Sequence, residues 1–297
     1  MKKRLMILTC MLLITTAFVA CTGLYLKQAI LKPLHLYEDK SVVEVPFLIW
    51  NDPVVRYAIA AQNKQGTEAV AESVPMEQIP APTEDRKEIT SAPPTEPPYV
   101  EITEQWFDDA LFIGDSRTVG LRDFARLGQA DYFCSVGMSV FGIMDAAESD
   151  VNFSETTLKN LLQEKRYNKI YISLGLNDCN APYDLLMDAY AEFLYTIRQL
   201  QPDAVIILQS IITLGREKAS SEWYFSLENL KQVDAGIRDF ADGHHVVFID
   251  ANTHFADEAG YLPDEMSFDG CHFEISGYQE WARWIMENAK TLHISFG

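Results

Sequence analysis

Between residues 106 and 290, short and almost wholly apolar runs alternate with longer amphipathic stretches. No other feature of the chain restricts its fold as much. The apolar runs are residues 110–113, 132–136, 169–174, 204–211 and 246–249. Strands this apolar are buried on both faces, as in a parallel sheet. Helical patterns lie between them, at residues 117–127, 158–164, 183–200, 227–240 and 276–289. The third places Leu186, Tyr190, Phe193, Leu194 and Ile197 close to the 3.6-residue period, and Pro202 stops it. Strands alternating with helices imply right-handed crossovers and a parallel sheet of about five strands. In such sheets ligands sit beyond the carboxyl ends of the strands.

The residues ahead of this region read differently. Lys2, Lys3 and Arg4 precede an uncharged run of 22 residues, 5–26, followed by Lys27. As a helix that run is about 33 Å long, enough to cross a bilayer core. The basic residues before it place the N-terminus inside and the rest outside. Residues 1–27 therefore read as a single-pass signal anchor in the cell membrane. A lipoprotein signal ending at Cys21, preceded by Phe18-Val19-Ala20, and a cleaved signal that secretes the protein are the alternatives. Residues 28–65 carry no assigned function, with 42–50 strand-like and 54–61 suited to a short helix. Residues 66–99 hold seven of the thirteen prolines, seven acids and two bases. Such a segment cannot offset its ordering entropy by burial and reads as a disordered, proline-stiffened linker. Residues 100–297 form the main domain.

With 43 acidic and 24 basic residues the net charge is −19, which repels phosphate backbones and excludes nucleic acid as a partner. Five cysteines with no metal-binding spacing point neither to a disulfide scaffold nor to a metal. Cys134, Cys179 and Cys271 read as small buried or half-buried thiols, with a Cys179–Cys271 disulfide as the minor alternative.

Four motifs fall at one edge of the expected sheet. Gly114-Asp115-Ser116 follows the first strand and opens a helix, whose unpaired N–H groups favour developing negative charge. A helix cap is the plain reading of such a serine. Asp269-Gly270-Cys271-His272 precedes the last helix. A serine hydroxyl needs an adjacent base, and a histidine held by an aspartate supplies one. His245 also has a carboxylate three residues earlier, Asp242, but that pair precedes the fifth strand and belongs at the opposite edge. Gly175-Leu176-Asn177-Asp178 follows the third strand, where Asn177 offers an oxyanion donor and Asp178 reads as a helix cap. Gly137 follows the second strand and allows a backbone N–H to approach a ligand.

Together Ser116, Gly137, Asn177 and His272 resemble the signature of the SGNH (GDSL-type) hydrolases over roughly residues 106–290. The resemblance implies a three-layer α/β/α, flavodoxin-like fold. It also implies an oxyanion hole made by the Ser116 N–H, the Gly137 N–H and the Asn177 side chain, and ester substrates such as acetylated sugars, lipids and thioesters. The sequence departs from the family at Arg117, where leucine is usual, and around Gly137, where a nearby asparagine is missing. Arg117 reads as an exposed helix residue, with contact to an acidic or sugar substrate as the alternative.

The chemistry expected is acyl transfer through Ser116, with His272 as base and Asp269 as its orienter, and no metal or organic cofactor. An anchored enzyme on an acidic stalk outside the cell suits O-deacetylation of cell-wall or surface polysaccharide. Transfer of the acyl group to a surface polymer uses the same triad. A lipase or lysophospholipase is a further alternative, although no long apolar lid sequence is present. A non-catalytic envelope protein that binds glycan is the alternative from another class.

Overall fold

The computed structural model describes residues 102–146 and 156–296. The expected anchor, the stretch at 28–65 and the expected linker lie outside these residues. Among the described residues no helix is long and apolar enough to cross a membrane.

Five strands, β1 Ala110–Gly114, β2 Asp131–Cys134, β3 Lys169–Ser173, β4 Val205–Gln209 and β5 Val246–Ile249, form one sheet in the order β2-β1-β3-β4-β5. All four pairings are parallel. The helices are α1 Ser116–Ala125, α2 Leu158–Glu164, α3 Tyr183–Leu200, α4 Arg216–Ser221, α5 Leu227–Arg238, α6 Asn252–Phe255 and α7 Ile275–Phe296. This is the parallel sheet that the alternation implies, in the three-layer α/β/α, flavodoxin-like architecture that the resemblance implies.

Side-chain alternation along the strands divides the core. Leu111, Ile113, Ile170, Ile172, Ile206 and Leu208 face α2, α3 and α5. Phe112, Tyr171 and Ile207 point to the other face, against α1 and α7, where Leu121, Trp281 and Ile285 cover them. On that face Tyr132, Phe112 and Tyr171 stack across three adjacent strands at centroid separations of 5.0 and 4.6 Å. The buried Trp281 indole N–H is satisfied by Gln209 Oε1 at 3.1 Å. A strand with both faces buried has no polar side to alternate with, which is why these runs read as continuously apolar.

Boundaries differ from the sequence reading in places. The second strand ends at Cys134, because the chain then turns, with the Ser135 N–H donating to Gly114 O at 3.3 Å. Val136, expected inside the strand, is 80% exposed. The fourth strand stops at Gln209 and the last helix runs on to Phe296. Two short helices, α4 and α6, lack the apolar periodicity that would announce them.

The order places β1 between β2 and β3, so the chain leaves β1 to one side and later returns on the other. The crevice above that reversal is where such folds bind ligands. It is bordered by the loops that follow β1, β2 and β3.

Candidate active site

Ser116 is the first residue of α1, two residues beyond the end of β1. Gly114 must lack a side chain: a Cβ there would lie 1.9 Å from Thr118 Oγ1 and 2.9 Å from the Ser173 carbonyl oxygen. The turn is therefore tight, and it brings α1 directly against the sheet. Asp115, not Ser116, caps the helix, with Oδ1 accepting the Arg117 N–H at 3.0 Å. Burial raises the Asp115 carboxyl above the ordinary carboxylate range, against the opposing pull of the Arg117 charge and N–H. The serine hydroxyl is left for another partner, His272 Nε2, at 2.8 Å.

His272 sits in a loop closed by an antiparallel bridge between Ser267 and Phe273. Asp269 organises this loop. One carboxylate oxygen accepts the backbone N–H groups of Cys271 and His272 at 2.8 and 2.7 Å. The other lies 2.7 Å from His272 Nδ1. Burial alone would raise the Asp269 pKa, but the bonds from the His272 ring and from the two backbone N–H groups outweigh it and hold the carboxyl at about 2. The aspartate is thus ionised at any working pH, and Nδ1 carries the proton it donates to Asp269. That tautomer leaves Nε2 as an acceptor facing the Ser116 hydroxyl. Gly270 takes φ +73°, a left-handed turn that returns the chain between Asp269 and Cys271. Its carbonyl receives the Gly215 N–H at 2.7 Å, which pins the loop to the segment after β4. Phe268, 69% exposed, stacks beside the imidazole at 6.2 Å and 17°.

The remaining two expected donors stand on the neighbouring loops. Gly137 is exposed at φ +77° within the turn 135–138, where the Met138 N–H donates to Ser135 O at 3.2 Å. Nothing lies within 4 Å of the place a Cβ would occupy, so conformation and not crowding calls for glycine. Asn177 lies in the short turn Leu176–Asp178 after β3. Its Nδ2 donates to Met138 O at 3.0 Å and, at a longer 3.5 Å, to Asp115 Oδ2. It thus touches the residue after Gly137 and the residue before Ser116. Loops from three strands meet here, and the loop before α7 brings His272 to them.

Two residues behave otherwise than the sequence reading expects. Asp178 is not a helix cap: α3 begins after Pro182, with no side-chain cap. Asp178 is fully buried and accepts the Ser139 hydroxyl at 2.5 Å and the Val140 N–H at 3.1 Å. It thereby ties the Gly137 loop to the Asn177 loop. Arg117 is not exposed but 3% accessible. Its Nε donates to Cys271 O at 3.0 Å and its Nη1 to Ile212 O at 2.5 Å, while Nη2 lies 3.7 Å from Cys271 Sγ. Contact with substrate is thereby ruled out. No sequence signal marks either residue, beyond an arginine standing where the resembled family has leucine.

His245 and Asp242 precede β5 and sit at the amino edge, remote from Ser116. Cys134, Cys179 and Cys271 are free thiols, with Cys271 half-buried. Among the described residues no cluster of histidine, cysteine or carboxylate side chains could hold a metal ion. A cavity of about 450 Å³ lies beyond β4 and β5, lined by Leu230, Asp234, Arg238, Asn252 and Thr253 among others, and shares no residue with the Ser116–His272–Asp269 set.

Residues 112–280, more than half the chain, match the GDSL-like Lipase/Acylhydrolase family. No curated protein matches. Among solved structures, a GDSL-like lipase from Bacteroides thetaiotaomicron is similar at 17% identity and a TM-score of 0.47, covering 62% of this chain and 90% of that one. A carbohydrate esterase of family 3 from Talaromyces cellulolyticus is similar at 19% identity and a TM-score of 0.43, covering 63% of this chain and 99% of that one.

Proposed function

The chain belongs to the GDSL-like lipase/acylhydrolase family and is an ester-hydrolysing serine hydrolase, and from that premise we propose that Ser116 is its nucleophile, His272 its general base and Asp269 the base's orienter. The observation that carries this reading is the unbroken chain of contacts from Ser116 Oγ to His272 Nε2, at 2.8 Å, and from His272 Nδ1 to Asp269 Oδ2, at 2.7 Å.

The hydroxyl of Ser116 attacks the ester carbonyl as its proton passes to His272 Nε2. The carbonyl oxygen becomes an oxyanion, which the Ser116 N–H, the Gly137 N–H and the Asn177 amide receive. Asp115 takes the Arg117 N–H and leaves that of Ser116 for this purpose. The long Asn177–Asp115 contact is the one an oxyanion replaces, while the bond to Met138 O keeps the amide oriented. The positive end of α1 adds to the stabilisation. The tetrahedral intermediate collapses, the C–O bond to the alcohol breaks, and the imidazolium returns its proton to the departing oxygen. Water, deprotonated by the same imidazole, then releases the carboxylic acid and restores Ser116.

For the substrate, we read an O-acylated glycan of the cell envelope, with the enzyme held to the membrane by residues 5–26 and its domain outside the cell. Support comes from the basic residues ahead of the apolar run, and from the acidic, proline-rich spacer that follows. The exposed ring of Phe268 beside His272 adds to it. Aromatic faces of this kind pack against the apolar face of a sugar ring.

Ser116→Ala is the test of the nucleophile. Hydrolysis of p-nitrophenyl acetate should fall by about 10⁴-fold or more, as removal of a nucleophile does elsewhere, with the melting temperature little changed. Parent-like turnover by that variant would transfer the role to another group.

A further inference from the structure

We propose that Arg117 is a positioning residue that sets the distance between nucleophile and base by gripping the peptide unit that carries His272. This rests on the reading of Ser116 and His272 above. The peptide joining Cys271 to His272 is held at both edges. Its N–H is taken by Asp269 Oδ1 at 2.7 Å and its C=O by Arg117 Nε at 3.0 Å. Arg117 immediately follows Ser116, so one side chain links the residue after the nucleophile to the residue before the base. A second guanidinium nitrogen reaches Ile212 O at 2.5 Å, in the segment after β4. Three pieces of chain far apart in sequence are thus referenced to a single planar group.

Burying a cation is costly unless its donors are matched, and an apolar side chain at this place would avoid the cost altogether. The arginine instead spends its donors on two carbonyls and a sulfur. Only a planar fork can serve both carbonyls in fixed directions; a lysine offers a point charge on a flexible stem. Three of its five N–H groups are used in this way, and at 3% exposure the side chain offers a ligand almost no surface. The effect of Arg117 must therefore pass through His272. The imidazole faces solvent on one side, and its backbone is anchored by the Asp269 carboxylate, the Gly215–Gly270 bond and this guanidinium. Without the last, Asp269 still orients the ring, but the loop is free to drift from α1.

The experiment uses the full chain with three substitutions, Arg117→Met, Arg117→Lys and Ser116→Ala, assayed on p-nitrophenyl acetate alongside circular dichroism and thermal melts. Arg117→Met should lower kcat about 30- to 100-fold per folded molecule, the scale expected for a displacement of about 1 Å. KM should stay within about twofold, since uniform binding is untouched. Arg117→Lys should give an intermediate kcat. Labelling of Ser116 by a fluorophosphonate should slow in the same order. A kcat for Arg117→Met close to that of the parent would overturn the proposal. So would a loss fully explained by the unfolded fraction, or a rise in KM at constant kcat. If Arg117→Met does not fold, Arg117→Lys decides, and an unreduced kcat in that variant overturns it. Parent-like turnover by Ser116→Ala would undo the nucleophile assignment itself, whereas an inactive Ser116→Ala beside a fully active Arg117→Met would undo the role of Arg117 alone.

Discussion

Asp178 contributes no atom to the bond being broken, yet it joins the two loops that carry Gly137 and Asn177. Removing its carboxylate in Asp178→Ala strands the buried Val140 N–H and takes an acceptor from the half-buried Ser139 hydroxyl. One buried unsatisfied group costs about 1–3 kcal/mol, so urea denaturation should show a loss of that size and kcat should fall with it. Asp178→Asn keeps one acceptor and should lie between. Asn177→Ala should reduce kcat by about 10²- to 10³-fold, the usual cost of one oxyanion donor, with KM on a short-chain ester nearly unchanged. That Ser116, Asp269, His272 and Asn177 gather at one edge of the sheet was legible in the sequence, because each lies in a motif at a place the strand pattern marks. Asp178 and Arg117 were not legible. Their partners lie 38 residues away for Val140, and 95 and 154 for Ile212 and Cys271, and burial beside such partners exists only after folding.

At the scale of elements, the strand-to-helix turn after β1 is the most constrained. Gly114→Ala would push a methyl group into Thr118 and the Ser173 carbonyl, and the backbone oxygen cannot rotate away. A loss of about 1–3 kcal/mol or more is expected, read by denaturant melts, together with lower activity because Ser116 rides on the same turn. All five strands and α1, α2, α3, α5 and α7 were legible from periodicity, and α2 and α3 to the residue. What failed was the end of β2, where Val136 is apolar but turns into solvent. Hydropathy reports burial only on average, and a loop that forms one wall of an active site is free to show an apolar side chain. The helices α4 and α6, six and four residues long, are too short for a 3.6-residue period to register.

For the whole molecule, Asp234 should leave a mark on stability against pH. Burial pushes its carboxyl up to about 7, even though it accepts the Ile211 N–H at 2.7 Å. In the unfolded chain the same group titrates near 4. Between those values the folded state holds the extra proton, so stability falls as pH rises from about 4 to about 7 and levels off above. The change is on the order of 2–4 kcal/mol. Asp234→Asn should flatten this part of the profile, whereas an unchanged slope would assign it to other groups. The sheet order was not legible in the residue pattern, since which strands pair is decided by long-range packing. That order is what lets a hydroxyl and an imidazole 156 residues apart meet at 2.8 Å. The most direct measurement of their partnership is the rate at which a fluorophosphonate modifies the protein, with the adduct located by mass spectrometry. The adduct should lie on Ser116, and His272→Ala should form it at least about 10²-fold more slowly, the smallest share usual for a general base. An adduct on another residue, or undiminished labelling of folded His272→Ala, would contradict the shared role of the two.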